Sequence, residues 1–173
     1  MKTASALLSL ALGSMLLPAT VGASTLVASY EFNQTLNADQ GGVPALTPTD
    51  PLAQSGFVVD PTLGAGHYVY RFSGNRSPVT DQAGLSLNTT GLVPTNSYSV
   101  EVAVNFDSHG GAWDRLIDVS DRQTDNGLYV DPSNHLQVYP IIAGTDPYTD
   151  GYRDVILTVA AGGTVKGYLD GVL

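Results

Sequence analysis

Tyr98-Ser99-Val100-Glu101-Val102-Ala103-Val104-Asn105-Phe106 is the stretch that decides the fold class. Tyr98, Val100, Val102, Val104 and Phe106 occupy every second position, and Ser99, Glu101, Ala103 and Asn105 fill the alternates. Side chains of a strand point to opposite faces in turn, so this stretch predicts a strand with one face in a core and the other in water. A helix would need its apolar residues three and four positions apart.

The same signature recurs on both sides. Gly127-Leu128-Tyr129-Val130 and His135-Leu136-Gln137-Val138-Tyr139-Pro140 flank Asp131-Pro132-Ser133-Asn134. Pro132 presets the φ of a type I turn and Asp131 can accept from the turn backbone, so the pair reads as a hairpin. Further on, the run Arg153 to Val159 and the run Thr164 to Gly171 flank Ala160-Ala161-Gly162-Gly163. Val155, Leu157 and Val159 alternate on one arm and Val165 and Leu169 on the other, which predicts a second hairpin. Leu26 to Phe32 and His67 to Phe72 alternate more weakly and are expected to be strands. Ala112 to Arg122 holds Trp113, Leu116 and Ile117 at helical spacing. Its β-branched residues nevertheless place a strand near Leu116 to Val119, followed by a loop from Asp121 to Gly127. Gly41 to Gln54 is turn-rich and reads as a long surface loop. Strands at short intervals with turn residues between them imply an all-β sandwich or barrel with little helix.

The first residues read differently. Lys2 precedes an apolar run from Ala6 to Leu17, and Val21-Gly22-Ala23 is a small-residue pattern of the kind a signal peptidase cuts. Residues 1–23 are therefore expected to be a signal peptide helix, and 24–173 one exported domain. The apolar run falls short of the ~20 residues a bilayer-crossing helix requires. Without Lys2, six basic groups face sixteen acidic ones. Such a chain repels phosphate backbones, which argues against nucleic acid as a partner. The sequence holds no cysteine, so disulfides, thiol catalysis and cysteine-based zinc sites are excluded. Stability must then come from burial in a sizeable core.

The order of these features, Tyr30-Glu31-Phe32, Arg71-Phe72-Ser73-Gly74, Gly84-Leu85-Ser86-Leu87, the strand from Tyr98 and a final Gly167-Tyr168-Leu169-Asp170-Gly171-Val172, resembles the LamG-like jelly roll of the concanavalin A-like lectin/glucanase superfamily. It is most similar to exported bacterial proteins that carry such a domain ahead of a PEP-CTERM sorting signal. The resemblance implies an antiparallel two-sheet jelly roll at the cell surface or outside the cell. Similar domains continue with further strands beyond the position of Leu173, so this chain is expected to lack its last strands. The fold hosts many activities, and the expectation it supports is a non-catalytic module that binds carbohydrate or a surface. A structural or adhesive component of a surface layer is the alternative, and a glycoside hydrolase a more distant one.

Glycoside hydrolysis uses two carboxylates flanking the bond, and glucanases of this superfamily place two Glu on one strand. Here the two Glu, Glu31 and Glu101, stand on different segments, and Glu101 has no acidic partner on its face. Ser86 lacks the glycine pattern of a nucleophile elbow. His67, His109 and His135 are too scattered for the His-x-x-x-His spacing of metalloproteases. No catalytic residue is assigned. Asp118, Asp121 and Asp125 cluster in sequence and could ligate Ca²⁺ with hard oxygen donors, as jelly rolls of the resembled kind sometimes do. Ordinary turn aspartates are the alternative. A polysaccharide or cell-surface glycan would need aromatic platforms beside polar loops. Trp113, Tyr148 and Tyr152 are the candidates, with packing of Trp113 over the sandwich edge as the other reading.

Overall fold

A computed structural model of the protein describes residues 25–106 and 111–173. The expected signal peptide and His109 lie outside the described residues. The described chain is all-β, with eleven strands in antiparallel sheets and helix confined to two short 3-10 turns, Pro61–Leu63 and Val79–Asp81. No helix among the described residues is long and apolar enough to cross a membrane.

Two sheets form the centre. The first takes β5 (Tyr98–Val104), β10 (Arg153–Val159) and β11 (Val165–Leu169) in the order β11-β10-β5. The second takes β6 (Asp114–Asp118), β7 (Gly127–Val130), β8 (His135–Tyr139) and β9 (Ile142–Pro147) in chain order. The alternation of β5 is realised as expected, with Tyr98, Val100, Val102 and Val104 partly buried and the residues between them exposed. Val102 pairs with Val155 and Val155 with Leu169, so the apolar row continues across all three strands. Leu128, Val130, Leu136 and Val138 meet that row from the second sheet. Leu128, Val130, Val155 and Leu157 are fully buried, and each such side chain contributes about 1.5–3 kcal/mol.

Gly167 shows how closely the sheets approach. A Cβ built there would lie 2.6 Å from Leu128 Cδ1 and 3.1 Å from Val138 Cγ2. Glycine inside a strand often marks such a place, where a side chain from the facing layer fills the space above the backbone.

Both predicted hairpins form, and by the same device. The Asn134 amide donates to the Asp131 carbonyl and the Asp131 amide to the His135 carbonyl. Gly163 and Ala160 repeat that pattern with Thr164. Asn134 and Gly163 take positive φ, 66° and 81°, which closes a type I turn with a left-handed residue. The Asp131 carboxylate also accepts from the Ser133 and His135 amides.

Two expectations are corrected. Leu26 to Phe32 forms no strand. Positive φ at Phe32 and Gln34 bends the chain, and Ser29 and Tyr30 are held by bonds to Gln40, Asp39 and the Pro44 carbonyl instead of a ladder. The segment read as one long loop contains β1 (Thr47–Thr49), which pairs with β4 (Gly84–Ser86). The strand expected near Leu116 to Val119 is present and runs from Asp114 to Asp118. β3 (Tyr68–Arg71) forms as expected, paired with β2 (Gly56–Val59), which the sequence did not announce. Every fully buried apolar side chain described lies between Leu128 and Leu169; none comes from residues 25–106.

Candidate functional site

Alternation that sends Leu128, Leu136 and Val138 into the core sends Tyr129, Gln137 and Tyr139 to the outer face of the four-stranded sheet. Arg115 joins them, directly across from Tyr129. A bulge between Arg115 and Ile117 re-aims the end of β6. It requires glycine opposite: Gly127 has φ 141°, and a Cβ there would collide with the Ile117 carbonyl.

Three rings gather on this face. Trp113 stands nearly perpendicular to Tyr139, with centroids 5.4 Å apart, and to Tyr129, with centroids 6.4 Å apart. Tyr129 and Tyr139 lie 5.7 Å apart. Edge-to-face contacts of this kind hold ring orientation. Tyr129 is roofed over, whereas Trp113 remains 44% exposed. The sheet thus presents a half-exposed indole on the face that also carries Arg115.

A polar group on the same face is centred on Arg115. Its guanidinium lies over the Tyr129 ring at 5.6 Å. Nε donates to the Tyr129 hydroxyl at 3.1 Å, Nη1 to Gln82 Oε1 at 3.2 Å and Nη2 to Asp125 Oδ1 at 2.6 Å. Tyr129 in turn donates to Asp118 Oδ2 at 3.0 Å. Burial is the largest influence on the Tyr129 phenol and, with the Asp118 carboxylate and against Arg115, pushes its pKa to about 12. Burial works against the charge of Arg115, but its bonds to Tyr129 and Asp125 outweigh that and raise its pKa. At neutral pH Arg115 is therefore charged while the Tyr129 phenol keeps its proton.

This network takes up the carboxylates expected to bind calcium. Asp118 accepts from the amides of Ser120 and Arg122 through Oδ1 and from Tyr129 through Oδ2. Asp125 is committed to Arg115. Asp121 is exposed in the turn, at φ 49°. Among the described residues no group of three or more His, Cys, Asp or Glu is placed to hold a metal ion. Proximity in sequence suggested a cation cage; Arg115, on the same strand as Asp118, draws Asp118 and Asp125 into an ion-pair network instead.

The three aromatic candidates are not brought together. Only Trp113 belongs to this face. Tyr148 is buried in the core, tilted against Phe106 at 5.4 Å and donating to the Val104 carbonyl at 3.1 Å. Burial pushes its pKa to about 12. Its ring closes one end of the sandwich and offers no platform. Tyr152 donates to Asp60 Oδ2 at 2.6 Å, and that bond is the main cause holding the Asp60 carboxyl below its usual range. Tyr129, Tyr139, Arg115 and Gln82 were missed. The period-two pattern already placed both tyrosines opposite the core residues, and that was the signal available.

Glu101 lies on the exposed face of β5, across from Ile156. Comparison of the chain with protein-family models, with curated proteins and with solved structures finds no match.

Proposed function

We propose that the chain is an exported, non-catalytic, LamG-like jelly-roll module that binds carbohydrate through the outer face of its four-stranded sheet. The observation that carries this reading is Trp113, held edge-on by Tyr129 and Tyr139 yet 44% exposed. A rigid open indole beside fixed polar groups is what stacking on a pyranose ring requires, since the apolar ring face meets the indole while hydroxyls meet acceptors and donors. The jelly-roll assignment is supported by the sequence resemblance and by the all-β, two-sheet centre, and the route of export by the sequence alone.

A glycan array probed with the wild-type domain and with Trp113→Ala tests the proposal. Wild type is expected to bind a restricted set of glycans, and Trp113→Ala to lose at least about tenfold in affinity, near 1.4 kcal/mol. Circular dichroism of the variant serves as the folding control. Retention of no glycan, or equal binding by both proteins, would overturn the reading and favour a structural surface component.

A further inference from the structure

Resting on the carbohydrate reading of the Trp113 face, we infer that the ligand is a neutral glycan and that uronate-bearing or sulfated glycans are rejected. The site contains one arginine, which would ordinarily suggest an anion clamp. Here each of its three nitrogens already donates to a neighbouring side chain. A carboxylate or sulfate is held best by two parallel N–H donors of a guanidinium. On Arg115, Nε is used by the Tyr129 hydroxyl and faces Asp118 Oδ2 at 3.4 Å, Nη2 is used by Asp125, and Nη1 by Gln82. One guanidinium against two carboxylates leaves the cluster negative, on a chain whose formal charge is −9.

What the site offers beside the indole is acceptors. Asp125 is 58% exposed and spends Oδ1 on Arg115, so Oδ2 is available to a hydroxyl donor. An ionised acceptor bonds a neutral hydroxyl strongly and repels an anion. Trp113 excludes nothing by charge, so the discrimination resides in Asp125 and Asp118.

Trp113 is the single tryptophan of the sequence, so its emission reports this face directly. The full chain is titrated with neutral hexasaccharides of glucose, mannose, galactose and xylose, and with hexagalacturonate and hexamannuronate, at low and at high salt. At least one neutral hexasaccharide is expected to shift the emission saturably, with both uronates at least tenfold weaker. That gap should narrow as salt screens the carboxylates, and Asp125→Asn should narrow it at low salt. Uronates binding as tightly as, or tighter than, the neutral sugars would overturn the inference and leave the carbohydrate reading standing. No emission change with any oligosaccharide, or neutral binding that Trp113→Ala leaves intact, would overturn both.

Discussion

Replacing Gly167 by alanine tests the sandwich at its tightest point. The new methyl carbon would meet Leu128 Cδ1 at 2.6 Å and Val138 Cγ2 at 3.1 Å, with Leu136 Cδ2 at 3.9 Å. Leu128 is fully buried and Val138 nearly so, so neither can swing into solvent, and the sheets must part or a rotamer must change. Overpacking of this kind costs typically about 1–3 kcal/mol. Alanine also restricts the unfolded chain, which returns roughly 0.4–1 kcal/mol. A net loss centred on ~1.3 kcal/mol follows, or roughly 3–5 °C in Tm for a chain of this size. Gly162→Ala is the control, because that glycine lies in the neighbouring turn with no atom within 4 Å of a built Cβ and no positive φ. It should leave Tm unchanged or raise it slightly. Thermal and urea unfolding followed by circular dichroism would measure both. A cycle with Leu128→Ala sharpens the test. Leu128→Ala alone should cost about 2–5 kcal/mol, but it removes the obstructing methyl, so Gly167→Ala should be nearly neutral in that background. Additive losses, or a Gly167→Ala protein as stable as wild type, would refute the close facing of β11 on β7.

Three further outcomes are expected. Arg76→Ala should destabilise the fold by about 1–3 kcal/mol in urea unfolding, because it strips Asp114, only 9% exposed, of bonds at 2.8 and 3.1 Å. Tm should fall as pH rises from about 10 to 12, because Tyr129 and Tyr148 titrate near 12 when folded and near 10 when unfolded, so the unfolded state releases protons first; Tyr148→Phe should reduce that slope and cost about 0.5–1.5 kcal/mol at neutral pH through the lost bond to Val104. Tyr152→Phe should raise the pKa of Asp60 toward the ordinary carboxylate value in an NMR titration; in wild type the depressed pKa contributes stability above the unfolded value of 3.8 that is lost as pH falls through the folded one.

The parts of the fold legible in the sequence were those written in local code. Period-two alternation gave β5, β7, β8, β10 and β11, and turn chemistry gave both hairpins. β9 was hidden because Gly144, Thr145, Asp146 and Pro147 are turn-forming types. Its glycine is demanded by a bulge against β8, where a Cβ would strike the Leu136 carbonyl. Leu26 to Phe32 failed in the opposite sense, since its alternation was overridden by side-chain bonds to residues 39–44 that no local pattern records. At the site, exposure of an aromatic is decided by what lies across the sheet. Tyr148 sits in a polar loop sequence and is buried, while Tyr129 and Tyr139, within strands, form the wall that holds Trp113.

Among the described residues, the concentration of fully buried apolar side chains between Leu128 and Leu169 has a consequence for how the molecule comes apart. The ribbons β1–β4 and β2–β3 contribute no fully buried apolar side chain among the described residues; links from residues 47–86 to the sandwich include Tyr152 to Asp60, Arg76 to Asp114 and Gln82 to Arg115. The Arg76–Asp114 ion pair is weakened by salt, while apolar burial is not. Two levels of cooperativity are therefore expected. Residues 47–86 can detach in a partial opening that leaves β5 to β11 intact, and their amides should exchange with solvent deuterium well ahead of those of Leu128, Val155 and Leu157. Because Gln82 rides on the detaching part, each such opening also removes one of the groups that fixes Arg115 beside Trp113.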